Sequence, residues 1–250
     1  MNNAHYIDTH AHYDWEEFKK DRDELLQKIT KETIVVNIGC SLKSCKESIK
    51  YTSIFNNFYT SLGIHPMNVE LNEDISELEN LITNKVVAIG ETGLDLKFPN
   101  INLQKEYFIK HIHLANKYNL PIIIHCRKMH KETYDILSRY TVNKKGIMHC
   151  YSGSLEDAKK FLDLGYYFGF DGPITKSDKY DEIIKFLPLD KIVVETDAPL
   201  MVPHPLNVNR SDSSMLHLII KKISLIKNTE YEKAKKQIFE NSIKIYNIKL

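Results

Sequence analysis

The sequence predicts an α/β fold, a single TIM-type (β/α)8 barrel spanning residues 1–250. Three observations predict it: eight short β-branched apolar runs, a stretch of helical character after each run, and metal-ligating side chain types where the runs end. A chain of 250 residues has the usual size of one such barrel, and 42% hydrophobic residues supply its core.

In chain order the runs are Tyr6–His10, Thr33–Ile38, Tyr59–Ile64, Val86–Gly90, Ile122–His125, Gly146–His149, Tyr166–Phe170 and Ile192–Thr196. Near-continuous apolar runs fit parallel strands buried on both faces. Their starts recur at roughly the length of one βα unit, with no Pro-, Gly- or Ser-rich linker between them. The intervening segments have helical period. From Leu103 to Tyr118, Leu103, Tyr107, Leu114 and Tyr118 share one face with Phe108, Ile112 and Ala115 beside it. Ser154 and Asp157 form a capping-box pattern ahead of Ala158, Phe161 and Leu162, and Gly165 stands at the expected C-terminal cap. An open doubly wound sheet would also alternate strands and helices. The polar residues at the strand ends decide against it.

Those ends carry a set. Run one leads into His10-Ala11-His12, where period two puts both imidazoles on one side; run four leads into Glu91, run five ends in His125, run six in His149, and run eight leads into Asp197. Functional side chains of parallel barrels sit at the C-terminal strand ends. Closure makes the eighth strand a neighbour of the first, so Asp197 approaches His10 and His12 while Glu91, His125 and His149 come from three consecutive strands. The expected arrangement is one divalent ion on His10, His12 and Asp197 and a second on His125 and His149, with Glu91 bridging. Two ions about 3.5 to 4 Å apart can activate a water and stabilise the attacking and leaving oxygens of a displacement. Only a closed barrel brings all six residues together.

Other residues receive blander readings. Cys126 and Cys150 follow ligand histidines, so strand alternation turns them away from the site as small buried hydrophobes. The four cysteines lack CxxC spacing and read as reduced thiols. His5, His111, His113, His130 and His217 read as surface or partly buried residues. The formal net charge of +1, with both signs interleaved, excludes a broad basic face for non-specific duplex binding, so any nucleic-acid contact is local. No run approaches the roughly 20 apolar residues of a membrane span. The start Met1-Asn2-Asn3-Ala4-His5 lacks a basic, then apolar, export pattern, which makes a cytoplasmic protein the default expectation.

The ordered motifs resemble the TatD family of metal-dependent deoxyribonucleases, within the amidohydrolase-like barrels, nearly end to end. They are Ile7-Asp8-Thr9-His10-Ala11-His12, Leu62-Gly63-Ile64-His65-Pro66, Ala88-Ile89-Gly90-Glu91-Thr92-Gly93-Leu94-Asp95, Pro121–Arg127, His149–Ser154 and Glu195-Thr196-Asp197-Ala198-Pro199. The resemblance implies hydrolysis of phosphodiester bonds in DNA, from strand ends or single strands, and the same six ligands. It also implies that His65 and Arg127 sit beside the metals, where each can give a phosphate a charge-assisted hydrogen bond. One region departs from the family pattern. After Asp197, relatives commonly show P-x-P-x-R-G-x-x-N-E-P, whereas this chain has Pro203-His204-Pro205-Leu206-Asn207-Val208-Asn209-Arg210-Ser211-Asp212-Ser213. Asp212 is expected to cap the next helix, and Arg210 and His204 are the residues available to replace the lost polarity.

The expected chemistry is attack on phosphorus by a metal-bound hydroxide, with Asp197 as ligand and proton acceptor and Glu91 as bridge and proton-transfer group. The mixed donor set suits Mg, Mn, Zn or Co. No obligate protein partner is evident. Two other functions compete. One is an amide or ester hydrolase on the same scaffold, acting for example on an aminoacyl-tRNA linkage; the altered 203–213 segment favours it, and the anion-binding pair His65 and Arg127 opposes it. The other is a non-catalytic binding protein, which has no physical need for an intact charged cluster.

Overall fold

Eight strands pair in parallel and in sequence order: β1 (Tyr6–Ala11), β2 (Thr33–Ile38), β3 (Phe58–Leu62), β4 (Val86–Asp95), β5 (Ile122–Arg127), β6 (Ile147–Met148), β7 (Tyr167–Phe170) and β8 (Ile192–Val194). This computed structural model describes residues 4–249; Met1–Asn3, part of the expected leader-free start, and residue 250 lie outside the described residues. The strand order has no reversal point, which rules out the doubly wound sheet. The barrel nearly closes just past the last ladder. Ala11 and Ala198 form a parallel bridge, the Asp197 N–H donates to the His10 carbonyl at 2.9 Å, and the His12 N–H donates to the Ala198 carbonyl at 2.7 Å.

All eight runs become strands, and the ends of three bear on the site. β4 continues past Glu91 to Asp95, its register on β5 shifting between Ile89 and Thr92, so Glu91 stands mid-strand beside a bulge. β6 holds only two residues, and β8 stops at Val194, which leaves His149 and Asp197 on the turns that follow. Cys150 has a φ of 42°, so alternation fails there: its thiol meets the Asp171 carboxyl instead of turning toward the helices. Cys126 does pack outward, in a core with Met129, Ile136 and Phe161, and accepts the Thr133 hydroxyl at 3.3 Å.

The helices are α1 (Arg22–Ile29), α2 (Leu42–Ile54), α3 (Ile101–Tyr118), α4 (His130–Arg139), α5 (Leu155–Asp163), α6 (Asp181–Phe186), α7 (Leu216–Ile226) and α8 (Tyr231–Tyr246). Helix α3 buries Tyr107, Phe108, Ile112, Leu114 and Ala115, the face its period marks. The capping box of α5 is present: Asp157 N–H donates to Ser154 Oγ at 3.0 Å and Ser154 N–H to Asp157 Oδ2 at 3.2 Å. Gly165, at φ +93°, turns the chain out of it. Between β3 and β4 the connection is two 3-10 segments, Pro66–Leu71 and Ile75–Leu81, rather than an α-helix.

Apolar packing fixes the floor under the site. Ile7, Val36, Val87, Ile123, Ile147 and Val193 cluster with Ile245, Tyr246 and Ile248, so the end of α8 plugs the strand-start side of the barrel. Full burial stabilises each such aliphatic side chain by about 1.5–3 kcal/mol. The opposite, strand-end side is left for polar residues.

A candidate metal centre at the strand ends

Glu91 lies at the middle of the polar cluster. It is 3% exposed, and its two oxygens face different histidines. Oε2 is 3.3 Å from His10 Nε2; Oε1 is 2.8 Å from His125 Nδ1, 3.6 Å from His65 Nε2 and 3.7 Å from His149 Nε2. Asp197, carried in by the turn after β8 at φ 49°, places Oδ1 3.3 Å from His12 Nε2, 3.7 Å from His10 Nε2 and 3.9 Å from His149 Nε2. His10 and His12 bring their Nε2 atoms within 3.2 Å of each other, and the His10 and His149 rings stack at 3.4 Å between centroids. All six expected ligands therefore converge.

The residues fit divalent ions on three observations. First, donor atoms gather at ligand spacing in three groups: His10, His149 and Asp197; His10, His12 and Glu91; His65, Glu91 and His125. Second, outer partners aim two of the rings inward. His12 Nδ1 lies 3.4 Å from the Ile38 carbonyl and His149 Nδ1 lies 2.9 Å from Glu195 Oε1, which leaves each Nε2 for the centre. Third, His10, fully buried, has an Nδ1 with no hydrogen-bond partner, and charged carboxylates crowd beside it away from water. Such a cluster needs cations to be tolerable.

The electrostatics agree. Burial alone would push Glu91 up, but His65, His10 and His149 outweigh it and hold the carboxyl well below its usual range. Burial would lower His149, yet Glu195 and Glu91 raise it to about 10. Burial drives His65 down to about 3 despite Glu91. The Met67 N–H donates to His65 Nδ1 at 3.0 Å, so a neutral His65 carries its proton on Nε2, pointing at the cluster.

His65, expected as a phosphate donor, shares a ligand-spaced group with Glu91 and His125. Arg127 ends β5 opposite Asp95 and is exposed, without a carboxylate within 4 Å among the described residues. His111 is fully buried rather than partly so: it accepts the Ile64 N–H at 3.0 Å on Nε2 and pairs Nδ1 with the Tyr107 carbonyl at 2.7 Å. The segment after Asp197 also differs from expectation. Arg210 is tied to the Glu17 carbonyl and Asp21 and lies over the Phe18 ring, so it cannot replace lost site polarity, and His204 is exposed with its backbone N–H donating to the Thr175 hydroxyl. Asp212 does cap, accepting the Ser214 N–H at 2.9 Å.

Four carboxylates belong to the site although no role was read for them in the sequence. Glu195, fully buried, holds His149 and accepts the Cys150 N–H at 2.6 Å and the Thr9 hydroxyl at 3.3 Å. Asp95 Oδ2 lies 3.0 Å from His125 Nε2. Asp8 accepts the hydroxyls of Thr196 and Ser213, each at 2.6 Å, pinning the β8 turn to β1. Asp171, at the end of β7, is 3% exposed with one oxygen unpartnered, and burial pushes it up to about 7. A carboxylate at a strand end was the available signal for Asp171; Glu195 and Asp95 stood inside quoted motifs.

Known proteins show the same architecture. The model of the family described as "TatD related DNase" matches residues 7–247. An uncharacterized metal-dependent hydrolase of Methanocaldococcus jannaschii is 32% identical, the alignment covering 100% of both chains. The uncharacterized metal-dependent hydrolase YabD of Bacillus subtilis is 32% identical over 97% of this chain and 99% of its own. The crystal structure of the TatD homologue YjjV from Escherichia coli superposes with a TM-score of 0.91 at 27% identity, covering 98% of this chain and 99% of that one. With this match running almost from end to end, the chain belongs to the TatD related DNase family and is a metal-dependent hydrolase.

Proposed function

We propose that the protein hydrolyses phosphodiester bonds of DNA, trimming from strand ends or single strands, with two divalent ions held by His10, His12, Glu91, His125, His149 and Asp197. The observation that carries the reading is the division of Glu91: one oxygen faces His10 and the other faces His125, His65 and His149, so a single carboxylate spans two nests of nitrogen donors. Ions in such a nest supply an acidified water and neutralise charge on a phosphate. Asp197, whose Oδ1 faces His10, His12 and His149, would accept the proton of the attacking water. The Nε2–H of His65 donates to a phosphate oxygen, and exposed Arg127 adds a cation at the mouth. Mg, Mn, Zn and Co all suit the donor set.

An amide or ester hydrolase on the same scaffold is the second reading. It is favoured by the apolar segment after Asp197, where Leu200, Leu206 and Val208 are all at least 38% exposed and Arg210 is engaged elsewhere. Parallel assays on plasmid DNA, short single strands and aminoacyl or aryl esters separate the two. Metal-dependent release of nucleotides from DNA supports the nuclease; turnover of esters alone rejects it.

A further inference from the structure

Trp15 is the chain's single tryptophan, and it follows the His10-Ala11-His12 pair by three residues. Its ring lies over that of His12, 4.6 Å between centroids and 22° from parallel, and its backbone N–H donates to the His12 carbonyl at 3.2 Å. The ring is half-buried and forms one wall of a cleft of about 650 Å³ between the turns after β1, β2 and β3, with Cys40, Ser41, Lys43, Met67 and Asn68 among the other lining residues. The cleft opens onto the cluster, because Cys40 Sγ lies 4.0 Å from Glu91 Oε2 and 3.7 Å from His12 Nδ1. Met67 is 48% exposed, an apolar side chain beside the ligand-spaced His65.

Several charges along this cleft are already engaged, and the exposed Glu17 and Lys43 bring one charge of each sign. Glu16 pairs with Lys19 at 3.1 Å and Glu47 with Lys50 at 2.6 Å; Asp14 accepts from Asn37 at 2.9 Å and Ser44 at 2.8 Å; Arg22 donates to the Tyr51 hydroxyl and two carbonyls. A polyanionic backbone gains little there. A flat neutral group gains an aromatic face, a thioether and backbone polar atoms, directly beside the seat of the reacting phosphate.

We propose that this cleft seats an unstacked nucleobase at the end of a single-stranded DNA substrate, with Trp15 as its stacking platform and Met67 as the opposing wall. The proposal rests on the nuclease reading. Every base presents a π-face, so the subsite is tolerant of sequence, and a base held in a duplex stack cannot enter it.

The test uses two single-stranded oligodeoxynucleotides, one natural and one with abasic residues at its ends. Trp15→Ala raises KM for the natural strand by about tenfold or more, the scale of one base–aromatic stack, and raises it far less for the abasic strand. Trp15→Phe keeps a ring on His12 and retains most of the affinity. In the uncleaving Asp197→Asn protein, the natural strand quenches the lone tryptophan's fluorescence and the abasic strand does not. Equal losses on both strands in Trp15→Ala would reduce Trp15 to a prop for His12 and overturn the proposal. Unchanged KM and fluorescence, with cleavage intact, would overturn the cleft alone; failure of the wild type to cut or bind either strand would overturn the nuclease reading with it.

Discussion

His149 Nδ1 lies 2.9 Å from Glu195 Oε1, and that buried carboxylate touches no solvent and no other imidazole among the described hydrogen bonds and ion pairs. The Cys150 N–H at 2.6 Å and the Thr9 hydroxyl at 3.3 Å fix it behind that ring. A carboxylate behind a metal-binding histidine fixes the tautomer and raises ligand basicity, and its loss typically costs 10–100-fold in metal affinity or activity. Glu195→Gln is therefore expected to fold and to bind divalent metal about 10–100-fold more weakly, as measured by competition with a chromogenic chelator. Unaltered affinity would show that the pair serves packing only.

Metal should stabilise the fold as well as act in it. A ligand at 100 times its Kd adds about 2.7 kcal/mol, and in a chain of this size each kcal/mol moves the Tm by about 2–4 °C. Adding Mn or Zn to chelator-treated protein is expected to raise the Tm by about 5–10 °C. In Glu91→Gln, which removes the charge shared by His10, His125, His65 and His149, the shift should largely vanish. A full shift in that variant would place the ions elsewhere.

His111 predicts an acid limit. Burial lowers its pKa to about 4, while the unfolded chain titrates near the ordinary 6.5. Between those values the unfolded state binds a proton that the folded state refuses, so stability is fully present above about pH 6.5 and falls as the pH drops toward 4. His111→Leu should lose about 1–3 kcal/mol at neutral pH, because the buried Ile64 N–H loses its acceptor, and should show a shallower acid decline. Urea midpoints measured from pH 4 to 7.5 check both effects; parallel profiles for the two proteins would remove His111 as the cause.

Gly146 leads into β6, and a Cβ there would collide with the Ile122 carbonyl at the start of β5. Neither backbone can yield without breaking the ladder that carries His125 beside His149. Gly146→Ala is expected to lower the Tm by several degrees and to weaken metal binding together with stability. A stable variant with normal metal affinity would contradict that coupling.

Much of this was legible in the sequence because its signals are local. Eight β-branched runs ending in His10, Glu91, His125, His149 and the Asp197 turn define both the strands and their functional ends, and closure follows from the parallel order. What was not legible depended on backbone departures from ideal strands. Cys150 escapes alternation because β6 is two residues long and the chain then turns at positive φ. Glu195 reaches His149 from two strands away and Asp95 reaches His125 from the neighbouring strand, contacts that no sequence window joins. Arg210 looked available to the site, but Asp21 and Phe18, on the turn after β1, hold it away.

The central claim is that this ligand cluster cuts DNA. The direct measurement is digestion of end-labelled single- and double-stranded oligonucleotides by wild type and Asp197→Asn, with Mg, Mn or Zn and with chelator. The account predicts a metal-dependent ladder of progressively shortened products, faster on single strands, that is abolished by chelator and reduced to background in Asp197→Asn. A wild-type protein that binds metal yet leaves every strand intact would contradict it, and would point to the ester and amide hydrolases instead.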